Sequence, residues 1–158
     1  MQLAKVFGTK VTAVSSGKNK ELVRSLGADG FFDYTKEDYT KHDKKYDLIL
    51  DAVGKLPFSM WKGGLKQNGI FVNAGNPKMS ITRFILSLLG NKFRKKKYRN
   101  FDVTYNSEDL QYLAKLSEEE KIRSVVEKSY DLKDLAEAHR YYERGRTAGK
   151  VAVIIANE

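Results

Sequence analysis

The chain has 158 residues, 41% hydrophobic and 31% charged, and its 29 Lys and Arg against 20 Asp and Glu give a formal net charge of +9. That length suits one domain able to bury about 70% of the surface its unfolded chain exposes, while a mean hydropathy of -0.53 and the lack of any apolar run near the roughly 20 residues of a bilayer span argue against a membrane protein. Zero cysteines exclude disulfides and thiolate metal sites, and the two histidines, His42 and His139, are too few for a structural zinc site.

Val11 to Val14 reads as a short β-branched strand, and after Ser15-Ser16-Gly17-Lys18 a helix carries Leu22, Val23 and Leu26 on one face until Gly27 stops it. Phe31 and Phe32 begin a second strand. Beyond a lysine-rich loop, Tyr46 to Ala52 runs continuously apolar through Leu48, Ile49 and Leu50, the pattern of a parallel strand covered on both faces. Pro57, Phe58, Trp61 and Leu65 predict a helix with Gly69 just past its end, and Ile70 to Val72 the next strand. An apolar helix with Phe84, Ile85, Leu88 and Leu89 then runs into the basic cluster Lys92 to Arg99, followed by a strand near Phe101 to Tyr105. Ser107 is placed to cap a helix with Leu110, Leu113 and Leu116 on one face. Val125 to Tyr130 reads as a strand, Asp131 as the cap of a helix ending at Gly145, and Lys150 to Ile155 as a terminal strand. This alternation of strand and helix is the α/β signature.

A positive balance admits nucleic acid, an anionic membrane surface or a phosphorylated small molecule as partner. The Lys92 to Arg99 cluster reads most simply as a solvated helix end, since only Phe93 and Tyr98 interleave aromatics for base stacking. No membrane partner and no nucleic acid are expected. His139 reads as a packing residue and His42 as a surface loop residue. Met1 to Val14 lack the pattern of a secretory leader, so the expected residence is cytoplasmic.

In a dinucleotide-binding domain the residue ending the second strand selects the cofactor, because an acid there bonds the adenosine ribose and repels a 2′-phosphate. At that position this chain offers the hydroxyls of Ser15 and Ser16, the backbone at Gly17, and Lys18 with Lys20 nearby, a set that suits a phosphate dianion and hence NADPH. A plain hydroxyl-capped turn with solvated lysines fits the same residues. Tyr34 ends the next strand, and Asp51-Ala52-Val53-Gly54 and Asn73-Ala74-Gly75-Asn76 end two more, so small residues recur at successive strand ends.

The blocks VTAVSSGKN from Val11, ELVRSLGAD from Glu21, DYTKED from Asp33, YDLILDAVG from Tyr46 and GKVAV from Gly149 resemble the quinone oxidoreductase-like branch of the medium-chain dehydrogenase/reductases. The resemblance implies NADPH-dependent reduction of quinones or α,β-unsaturated carbonyls by hydride transfer, without catalytic zinc. By the same resemblance Ser16, Lys18 and Tyr34 hold the 2′-phosphate, Val53 and Gly54 line the adenosine side, Ala74 and Gly75 approach the nicotinamide half, and Phe101 and Val103 border the nicotinamide. It assigns neither a catalytic residue nor a metal ligand in this chain.

No G-x-G-x-x-G precedes Val11, and in that family Gln2 to Lys5 lie in the helix after the glycine-rich loop. The expectation is therefore a C-terminal piece. Residues 1–105 form an incomplete doubly wound, Rossmann-like parallel sheet without strand 1, and residues 106–158 form an α/β segment that packs on an N-terminal barrel. Such a piece is inactive alone, and its small-molecule substrate belongs to the complete enzyme. The edges left beside the missing central strand predict a homo-oligomer. The alternative is a basic binding module for nucleic acid or an acidic partner, built on a reductase remnant.

Overall fold

The computed structural model describes residues 1–54, 63–75, 97–100, 104–145 and 147–155. In chain order the elements are α1 (Gln2–Val6), β1 (Thr12–Ser15), α2 (Lys20–Ser25), β2 (Gly30–Asp33), β3 (Tyr46–Asp51), β4 (Leu65–Asn73), β5 (Lys97–Asn100), α3 (Ser107–Glu118), β6 (Val126–Asp131), α4 (Leu135–Glu143) and β7 (Lys150–Ile154). Short 3-10 turns precede α2 at Gly17–Asn19 and α4 at Leu132–Asp134. Every described strand pair is parallel: β1 with β2, β3 with β4, β4 with β5, and β6 with β7. The chain is thus a mixed α/β, Rossmann-like fold. Among the described residues no strand pairs with the second edge of β1 or of β3.

Two compact units contain these elements, Met1–Asp33 with Asn106–Glu158, and Tyr34–Tyr105. In the first, α2 crosses over between the two parallel strands, and its end shows why the Leu26-Gly27-Ala28-Asp29 block is written as it is. The Ala28 and Gly27 amides close back on Val23 and Arg24 carbonyls at 3.1 and 2.9 Å, with Gly27 at φ +95°. Asp29 then accepts from the Val11 amide at 2.7 Å and from Lys5 Nζ at 2.8 Å, which fastens α1 and the start of β1 to the start of β2. The Gln2 side chain exchanges two hydrogen bonds with the Arg123 backbone, at 2.9 and 2.8 Å, so residues near β6 are tied to α1. Leu116, Tyr130 and Ala138 are buried here.

In the second unit the core is Leu65 and Phe71, packed with Ile49 and Tyr98. Leu65 is a strand residue, not the end of a helix. It pairs with Tyr46, and the register then jumps so that Leu48 faces Ile70; Asn68, at φ 68°, and Gly69 take up the irregularity. The basic cluster also departs from the reading as a helix end and loop, because Lys97–Asn100 forms β5 with the Tyr98 ring stacked 5.5 Å from Phe71. Alternation of exposed Lys97 and Arg99 around that inward ring is strand periodicity.

Other expectations shift by a residue or a face. Asn106, rather than Ser107, caps α3, accepting from the Glu108 amide at 2.8 Å. Asp131 makes no side-chain capping bond. Leu48 and Leu50 are 56% and 55% exposed, so only Ile49 of the apolar run turns into the core. Pro57, Phe58, Trp61, the helix from Ile81, and Lys92 to Lys96 lie outside the described residues.

Candidate functional site

In the first unit, the loop leaving β1 lies beside the end of β2, because the parallel register sets Ser15 opposite Asp33. Ser16 begins the 3-10 turn from an extended conformation, and its carbonyl accepts from Asn19 at 3.0 Å. Its side chain makes no capping bond, which distinguishes this turn from a hydroxyl-capped one. The Asp33 carboxylate sits against Gly17, so a Cβ at that position would overlap its Oδ2. Asp33 is only 8% exposed, and a methyl on residue 17 would require its carboxylate to turn aside.

Also in this unit, Glu127 accepts from the Tyr141 hydroxyl at 2.9 Å and from the amides of Ala148 and Gly149 at 2.5 and 3.3 Å. These bonds, Tyr141 first and then Ala148, hold its carboxyl below the ordinary value, with a contribution from the charge of Lys18. Tyr141 is correspondingly pushed up by donating to Glu127. Lys128 Nζ lies 4.5 and 5.1 Å from the ring centres of Tyr130 and Tyr141, within cation–π range.

In the second unit, the ends of β3 and β4 are neighbours. Asp51, 8% exposed, turns its Oδ1 onto the amides of Val53 and Gly54 at 3.0 and 2.9 Å. Its own carbonyl accepts from the Ala74 amide at 2.9 Å, and Asn73 Oδ1 accepts from Gly75 at 3.2 Å. Gly75 then meets the other loop backbone to backbone: a Cβ there would overlap the Val53 carbonyl carbon and the Gly54 nitrogen. Tyr39, half-buried, has its phenol pushed up by burial first and by the nearby charges of Asp51 and Asp38.

The expected site residues are therefore divided. Ser16 and Lys18 belong to the first unit, while Tyr34, Val53, Gly54, Ala74 and Gly75 belong to the second. The structure brings Val53 and Gly54 together with Ala74 and Gly75. Tyr34 is well exposed. Phe101, Val103 and Asn76 lie outside the described residues. Sequence reasoning gave no role to Asp33, Asp51 or Glu127, although an Asp two and three residues before Val53 and Gly54 carries the Asx-turn signal. Among the described residues no three His, Cys, Asp or Glu side chains gather as metal ligands, and none of the described helices is long and apolar enough to cross a membrane.

A family profile described as zinc-binding dehydrogenase matches residues 26–153. A chloroplastic quinone oxidoreductase of Triphysaria versicolor is 31% identical over 158 residues, covering 97% of this chain and 47% of that relative. A 2-methylene-furan-3-one reductase of Solanum lycopersicum is 34% identical over 157 residues, covering 97% of this chain and 36% of that relative. Among solved structures, the quinone oxidoreductase from Coxiella burnetii matches with a TM-score of 0.76 at 28% identity, over 95% of this chain and 46% of that one. The chain spans about half the length, or less, of these relatives.

Proposed function

This chain belongs to the zinc-binding dehydrogenase family, and from that premise we propose that it carries the cofactor side of an NADPH-dependent oxidoreductase acting on quinones or α,β-unsaturated carbonyls. The observation that carries the reading is the pair of strand-end loops in the second unit. Parallel sheets bind ligands at the carboxyl ends of their strands, and there Gly75 leaves bare backbone against Val53 and Gly54. When bound, NADPH supplies the hydride for the acceptor. Ser16 and Lys18 offer a hydroxyl and a cation to its 2′-phosphate, Val53 and Gly54 line the adenosine side, and Ala74 and Gly75 let the nicotinamide half approach; Tyr34, Phe101 and Val103 complete the set. No residue of this chain is assigned a catalytic role. Zinc is a different case, because among the described residues no set of donor side chains gathers to hold it.

Titrating the chain with NADPH, followed by nicotinamide fluorescence, tests the reading. Saturable binding displaced by adenosine 2′,5′-bisphosphate is expected. It should be weak and without quinone turnover, because the 158 residues contain no G-x-G-x-x-G loop to present amides to the pyrophosphate. Tight binding with turnover by the chain alone, or no binding, would overturn it. The same reading extends to assembly. The outer edge of β3, with Leu48 and Leu50 exposed on one face, suits pairing with a second copy of the chain, and residues 106–158 suit packing on a barrel domain. Sedimentation as a monomer would remove the first of these.

A further inference from the structure

We propose that Asp33 is the specificity-determining residue of the Ser16–Lys18 loop, an acid delivered from the neighbouring strand that holds the preference for NADPH over NADH to within about tenfold. The inference rests on reading that loop as the adenosine-ribose end of a dinucleotide site. The loop's own sequence contains no acid, and on that ground alone a strong preference for the phosphorylated cofactor is expected. The fold changes this. Parallel pairing of β1 and β2 sets Asp33 opposite Ser15, and its carboxylate occupies the space a side chain on residue 17 would need, in contact with the loop backbone.

NADPH and NADH differ only in the 2′-phosphate, so any charge beside that phosphate acts on one cofactor and not the other. Lys18 and Lys20 favour the dianion. Asp33 opposes it from beneath the same turn, where at 8% exposure it is shielded from full screening by water. Two lysines of the loop and one carboxylate from the neighbouring strand thus act around a turn that its own sequence presents as purely basic.

The test is titration of the chain and of Asp33→Asn with NADPH and with NADH, both followed by nicotinamide fluorescence. In the unmodified chain the two dissociation constants should lie within about tenfold of each other, and Asp33→Asn should move their ratio about five- to tenfold toward NADPH. A merely structural role would weaken both cofactors alike and leave the ratio where it was; that result overturns the inference and leaves the cofactor reading standing. A preference for NADPH above tenfold in the unmodified chain also overturns it, and this measurement decides the matter if Asp33→Asn fails to fold by circular dichroism. Binding of neither nucleotide would overturn the cofactor reading itself and the inference with it.

Discussion

The two loops that carry the candidate site hold their glycines by different means. Gly75, in the second unit, lies against the backbone of Val53 and Gly54, whereas Gly17, in the first, lies against the side chain of Asp33. A peptide group fixed by its own strand cannot move aside, but a carboxylate can turn about χ1. The strand-end loops of β3 and β4 are therefore set by shape and the loop after β1 by charge. Substitutions should separate the two: a methyl group tests shape, and a neutral isostere tests charge.

The largest effect is expected for Gly75→Ala. Its Cβ has no space unless the β3 and β4 loops part, so the loss of stability should be about 3 kcal/mol or more, read from the denaturant midpoint. A loss below about 1 kcal/mol would break the comparison, because it would mean the backbone contact yields as easily as a side chain. Asp51→Ala comes next. It leaves the amides of Val53 and Gly54 without their acceptor in a part-buried setting, which should destabilise by about 1–3 kcal/mol. Asp51→Asn, which keeps an acceptor oxygen, should recover most of that loss.

Gly17→Ala sharpens the other side. The added methyl displaces only the Asp33 carboxylate, so the expected loss is about 1 kcal/mol, and in an Asp33→Ala background it should nearly vanish. Additive single and double substitutions would show that the glycine serves backbone conformation rather than the carboxylate.

The same division governs what the sequence disclosed. Strand-end glycines and small residues are local signals, and they put Val53, Gly54, Ala74 and Gly75 at strand ends, where the fold has them. The end of α2 was equally legible, since a helix stopped by Gly27 is a matter of nearest neighbours. Asp33 was invisible in its role, because its relation to Gly17 exists only once β2 pairs with β1 and sets Ser15 opposite it. Leu65 was misread for a related reason: its spacing from Trp61 fits a helix, but pairing with Tyr46 across the sheet decides its conformation. Tyr98 lay within a basic run whose charges masked the alternation that packs its ring on Phe71.

A third loop, between α4 and β7, offers the mildest test, because a carboxylate shares the task of holding it with the Lys150 amide, which donates to the Val125 carbonyl at 2.6 Å. Glu127 binds the Ala148 and Gly149 amides and the Tyr141 hydroxyl. Its carboxyl is lowered from the ordinary 4.5 in the folded chain, so its contribution is complete above that value and is lost as pH falls through the lower folded value. Tyr141 is raised from 10.0, so its share is complete below 10.0 and is lost as pH rises through the higher folded value. Between those limits the bond should be insensitive to pH. Glu127→Gln removes the negative charge and should let one tyrosine ionise earlier, nearer 10.0, in an alkaline absorbance titration, with a slight fall in the midpoint of unfolding at neutral pH as the carboxylate's contribution is lost. If the titration curve is the same with and without the carboxylate, Tyr141 does not depend on Glu127, and the loop is held by its backbone as Gly75 is.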